Sequence, residues 1–98
     1  MSEKPPVQPM QLQVSIDDET AQGVYANMAS VSHNETEFVL DFIWLQPQQP
    51  RAKVRARVIT SPKHLKRLIV ALQDSLARYE QRYGRVEPSP ANPPFTLN

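Results

Sequence analysis

The chain has 98 residues and a formal charge of +1, with 40% hydrophobic and 21% charged residues, ten prolines, two glycines and no cysteine. That length makes one domain with a small core. The lack of cysteine excludes a disulfide framework and a thiolate metal site, and the near-neutral balance excludes a global pull toward nucleic acid or membrane, so any such affinity has to come from local clustering.

Seven of the ten prolines fall in residues 1–9 and 85–98, where they forbid regular helix or strand. The expected organisation is a disordered Pro-rich tail over 1–10, a ββββα domain over 11–84 and a second Pro-rich tail over 85–98, in which Phe95 and Leu97 are the apolar anchors. The first residues hold no basic segment followed by an apolar run, which is read as no secretory signal. No apolar stretch approaches the ~20 residues of a membrane span. A cytoplasmic protein without membrane contact is the expectation.

Residues 11–16 alternate, with Leu12, Val14 and Ile16 on one side, and predict a first strand. Asp17-Asp18-Glu19-Thr20 then leads to Gly23 through a turn or a single helical turn; no further acid or histidine stands at a defined spacing, so the acids read as solvated and not as a metal site. Residues 24–33 predict a second strand, ended by a turn at Asn34, a residue tolerant of unusual backbone angles. The third strand, residues 37–45, carries all but one of the Phe and Trp residues: Phe38, Leu40, Phe42 and Trp44 on one face and Val39, Asp41, Ile43 and Leu45 on the other. Pro47 and Pro50 stop it.

Residues 51–60 alternate again, with Ala52, Val54, Ala56 and Val58 opposite Arg51, Lys53, Arg55, Arg57 and Ile59. A hairpin centred near Gln48 sets Phe42 near Val54, Phe38 near Val58, and Asp41 near Arg55, with Lys53 and Arg57 diagonal to it. Ser61-Pro62 is a helix start, and Leu65, Leu68, Ile69, Leu72, Leu76, Tyr79 and Tyr83 make one apolar stripe before Gly84 ends the helix. Such a helix is roughly 33 Å long, the length of a ten-residue strand. The fold predicted is α+β, a four-stranded antiparallel meander followed by one long C-terminal helix packed on the Phe38/Leu40/Phe42/Trp44 face.

One helix covers one face. Tyr25, Ala29, Val31, Val39, Ile43, Leu45 and Ile59 are then left on the other, which makes them the candidate oligomer interface with a second copy. The candidate anion- or partner-binding residues are Arg51, Lys53, Arg55, Arg57, Lys63, Lys66 and Arg67, seven of the eleven Lys and Arg. Lys63, Lys66 and Arg67 oppose the helix dipole at ~0.3–1 kcal/mol each, a local conflict of the kind found where a ligand is met. Pairing with Glu35, Glu37 and Asp41, or with the acids at 17–19, is the structural alternative. His33 and His64, the only histidines, stand in no catalytic or zinc spacing; there is no cysteine nucleophile, Gly-rich phosphate loop or paired-carboxylate motif. The expectation is a non-enzymatic homo-oligomeric binding module, needing no cofactor, whose partner is itself and a further protein; the alternative is nucleic acid or another anion held by the basic residues.

Val24-Tyr25-Ala26-Asn27, Ser32-His33, Glu37-Phe38-Val39-Leu40-Asp41-Phe42, Ala52-Lys53-Val54, Arg57-Val58-Ile59, Ser61-Pro62-Lys63-His64, Lys66-Arg67-Leu68, Tyr79-Glu80 and Gly84 occur in an order and spacing that resembles a family of short prokaryotic proteins classed as a domain of unknown function. The resemblance spans residues 11–86. It implies a bacterial or archaeal cytoplasmic protein and brings no activity, cofactor or site residue. In topology alone, the expected sheet and helix also resemble the subunit of the export chaperone SecB.

Overall fold

A computed structural model describes residues 10–88. It holds a short helix α1 (Asp18–Gln22), strands β1 (Met28–His33), β2 (Phe38–Leu45) and β3 (Ala52–Thr60), and a long helix α2 (Pro62–Tyr83). The strands form one open antiparallel sheet in the order β1-β2-β3. The class is α+β, as expected. A fourth strand is not seen among the described residues: residues 11–16 have no regular structure, and Leu12, Val14 and Ile16 are exposed. Alternation supplies a face to bury, but a strand also needs a ladder for its backbone groups, and nothing pairs with this segment. The tail residues 1–9 and 89–98, including Phe95 and Leu97, lie outside the described residues.

Local signals set most boundaries. Asp17 caps α1 by accepting the Thr20 backbone N–H at 2.7 Å. The Asn34 side chain accepts the Thr36 and Glu37 backbone N–H groups at 2.9 and 2.8 Å, which closes the β1–β2 turn. Ser61 caps α2 by accepting the His64 N–H at 3.2 Å, and Pro62 follows it. Gly84 ends α2 at φ +100°, a backbone angle that other residues adopt only with strain, and donates its N–H to the Glu80 carbonyl at 2.9 Å.

The β2–β3 register differs from the one expected. Phe38 pairs with Thr60, Leu40 with Val58, Asp41 with Arg57 and Phe42 with Ala56. Ile43 then pairs with Val54, Trp44 with Lys53 and Leu45 with Ala52. Arg55 is therefore an extra residue on β3, a β-bulge, and side chains beyond it change face. Val54 and Ala52 join Ile43 and Leu45, while Lys53 joins Trp44. An unbulged strand would set Lys53 or Arg55 beside Ile43, the most deeply buried side chain at 1% exposure; the bulge sets Val54 there instead.

The β1–β2 register also regroups the second face. Ala29 pairs with Phe42 and Val31 with Leu40, so these two share the Phe38/Leu40/Phe42/Trp44 face; Met28, Ser30 and Ser32 lie with Ile43, Asp41 and Val39. The seven residues expected on one interface are thus divided between the two sides. Tyr25 precedes β1 and meets the Trp44 ring edge-on, with centroids 5.5 Å apart.

Helix α2 does not cover the sheet as expected. None of its residues is buried, and Leu72 and Leu76 in mid-stripe are 60% and 49% exposed. Only Ser61, with extended backbone at φ −83° and ψ 160°, separates Thr60 from Pro62. Chain reversals between elements ordinarily take two residues or more, so one extended residue leaves no loop with which to turn the helix back. Among the described residues the buried apolar side chains are then only Leu40 and Ile43, one on each face of β2.

Backbone pairing accordingly carries much of the fold, and a side chain extends it. The Asn27 amide donates to the Leu45 carbonyl at 2.9 Å and accepts the Leu45 N–H at 2.8 Å, while its own backbone N–H donates to Ile43 at 3.0 Å. It acts as one more rung of the β1–β2 ladder. Asn27→Ala is expected to lower stability by about 1 kcal/mol, read as a lower urea midpoint with an unchanged slope.

Candidate anion-binding cleft

The seven basic residues do not form one surface. Thr60 lies eight positions beyond Ala52 on β3, roughly 26 Å along an extended strand. Arg51, Lys53 and Arg55 stand at the hairpin end. Lys63, Lys66 and Arg67 stand beyond the other end, on the exposed first turns of α2. Arg57 lies between and is occupied.

Arg57 makes a two-pronged ion pair with Asp41, Nε to Oδ1 at 2.7 Å and a terminal nitrogen to Oδ2 at 2.9 Å. The two residues are direct cross-strand partners, so the fork-to-carboxylate fit follows from register. The hydrogen bond from Arg57 holds the Asp41 carboxyl below the usual carboxylate range, with its charge adding to the effect against partial desolvation. The other ion pair among the described residues is Arg85 with Glu87 at 3.5 Å. The structural alternative therefore holds for Asp41 alone: among the described residues Glu35, Glu37 and the acids at 17–19 pair with none of the basic cluster.

The remaining hairpin cations meet at an open cleft of about 550 Å³, lined by Trp44, Gln46, Pro50, Arg51, Ala52, Lys53 and Arg55. No acid lines it. The bulge builds it, by turning Lys53 to stand directly across from Trp44 and away from Arg57. The Gln46 N–H donates to the Arg51 carbonyl at 3.0 Å, which closes the loop around Pro47 and Pro50. Sequence reasoning missed Trp44 as part of this site because it assigned the residue to the face that a helix would cover. Its place at the strand end, next to a proline loop, was the available signal.

Two other expected features lie apart. The His33 ring rests against Phe38, centroids 5.1 Å apart, and His64 is in the first turn of α2. Among the described residues no three His, Asp or Glu side chains gather as a metal site would need, and no helix is long and apolar enough to cross a membrane.

Fold and site together define a small α+β protein with an open three-stranded sheet, an uncovered C-terminal helix and a cationic cleft at the sheet's hairpin end. The chain belongs to the family described as Protein of unknown function (DUF3467), which matches residues 1–88. No curated protein and no solved structure matches the chain, so the topological likeness to SecB finds no support.

The sign of the Asp41 effect sets a pH dependence. A carboxyl whose pKa is lowered by folding stabilises the native state above its unfolded value, and that stability is lost as pH falls through the native value. Asp17, lowered by its Thr20 hydrogen bonds, adds to the same limb. Asp41→Asn should flatten the fall in melting temperature from about pH 5 downward, while leaving Asp17's share in place; an unchanged acid limb would mean that the pair contributes nothing to folding.

Proposed function

We propose that the protein is a non-enzymatic homo-oligomeric binding module, in which α2 of one copy packs on α2 of a second. The observation that carries this reading is the uncovered apolar stripe of α2. Leu68, Ile69, Leu72, Leu76, Tyr79 and Tyr83 are all exposed, and the buried apolar set among the described residues is Leu40 and Ile43. So small a core cannot offset the chain entropy of folding, about 1–2 kcal/mol per ordered residue for the backbone alone. A second copy supplies the missing contact without calling on any other molecule.

Charge selects the arrangement. Lys63, Lys66 and Arg67 crowd the start of α2, whereas its last turns mix Arg78, Glu80 and Arg82. A parallel pair would set the three cations against their own copies. An antiparallel pair separates them by up to the helix length, roughly 33 Å at 1.5 Å per residue, well beyond the ~8 Å screening length at physiological salt. The end of the stripe is already ordered within the helix: the Tyr79 and Tyr83 rings lie 4.9 Å apart, with the Arg82 guanidinium 5.4 Å from the Tyr83 centroid. The sheet is left to meet a further protein partner, through Val39, Leu45 and Ile59 on one side and Val31 and Ala29 on the other.

Light scattering on the purified protein should give a mass at least twice the 11.2 kDa of the chain. Leu72→Gln with Leu76→Gln keeps helix propensity and removes roughly 2 kcal/mol of burial per leucine in an assembled stripe. The variant should therefore shift to single-chain mass with a lower melting temperature. A wild-type chain that runs as a monomer, and melts no differently with both leucines replaced, would sink the reading.

A further inference from the structure

The cleft at the bulge has three properties that together specify a ligand. It gathers three cations, and among the described residues no acid lines it and none of Arg51, Lys53 and Arg55 has an ion pair. It presents a half-buried indole, Trp44, whose ring is braced edge-on by Tyr25 at an interplanar angle of 74°. No cation of the described chain stacks on that indole; the one such contact is Arg82 on Tyr83. A planar aromatic surface beside unneutralised cations matches a molecule that is itself planar and aromatic at one end and anionic at the other. The volume, about 550 Å³, is within the range of small-ligand sites.

We propose that this cleft binds a nucleotide unit, with the base stacked on Trp44 and the phosphate held by Arg51, Lys53 and Arg55. The unit is either a free nucleotide or one residue of a single strand; the bases of a duplex are stacked inside and cannot reach the indole. The bulge is what makes the site. With β3 regular, Lys53 would share the Arg57 face and the indole would stand without its cross-strand cation. The site lies at the hairpin end of the sheet, and α2 departs from the other end of β3, so it does not depend on whether copies pair through the helix.

Trp44 is the only tryptophan in the chain, so intrinsic tryptophan fluorescence reports this cleft and nothing else. The experiment titrates the full-length protein with adenosine monophosphate and, separately, with a short oligothymidylate, at about 20 mM salt, where phosphate contacts are strongest. Quenching by both probes identifies a site for the free unit; quenching by the oligonucleotide alone identifies a single-strand site. For the oligonucleotide, the logarithm of affinity should fall against the logarithm of salt with a slope of about −2, three contacts at about −0.7 each. Lys53→Gln and Arg55→Gln should each lower that slope by about 0.7, and together weaken binding about tenfold or more. Arg57→Gln, on the opposite face, should leave the slope unchanged. Trp44→Leu, read by anisotropy of a labelled oligonucleotide, should weaken binding at least fivefold through lost stacking. The proposal is overturned if neither probe quenches a protein that circular dichroism shows folded, or if the oligonucleotide binds without quenching. It is equally overturned if Lys53→Gln with Arg55→Gln binds as wild type.

Discussion

Strand β2 is hydrogen-bonded along both of its edges, and it is the only element in the described chain that is. β1 and β3 each pair on one side, and neither helix has a buried residue. Leu40 and Ile43, the two buried apolar side chains, stand on opposite faces of this strand. The described fold is therefore a ladder first and a core second. What moves the register of β2 against a neighbour moves every functional side chain, because pairing alone decides which residues share a face. The bulge at Arg55 shows this directly: one extra residue sends Lys53 to the tryptophan and leaves Arg57 with the aspartate.

Features governed by neighbouring residues were legible in the sequence. Ser61, Pro62 and Gly84 mark both ends of α2 because caps and stops act within one turn. Asn34 marks the first hairpin because its side chain closes a ring with backbone two and three residues on. The register of the second hairpin was not legible. It depends on how a loop holding Pro47 and Pro50 closes and on where an unpaired residue is best tolerated, and Arg55 differs in no compositional way from the arginines beside it. The docking of α2 was misread for another reason. An apolar stripe shows that a helix will be covered, but not by what, and the one-residue connection at Ser61 outweighs the match in length between helix and sheet. Residues 11–16 have the right alternation but pair with no described strand.

The candidate site was legible only in part. The cations were visible as a cluster, and seven of them within 17 positions look like one patch in a linear chain. In space the strand draws them out into two groups and one paired residue. Trp44 was visible too, but was assigned to the core with the other aromatic residues, since parity cannot say which part of a face stays open. Asn27 stood in one of the stretches that carry the family resemblance, but nothing there signalled its structural role. Its role exists only once Leu45 lies across from it, eighteen positions along the chain.

The two outer strands treat their open edges differently. β3 carries Lys53, Arg55 and Arg57 together with the bulge, and charge and irregularity are what discourage another strand from adding to an edge. β1, reading Met-Ala-Ser-Val-Ser-His, has no lysine, arginine or acid, no proline and no bulge. Among the described residues the sheet is thus guarded against growth on one side and unguarded on the other, so strand addition is favoured on the β1 side. Two copies meeting there would make a six-stranded sheet flanked on both outsides by β3, and the series would end at two. A fibre needs two unguarded edges on every copy, and the described residues leave one, along β1.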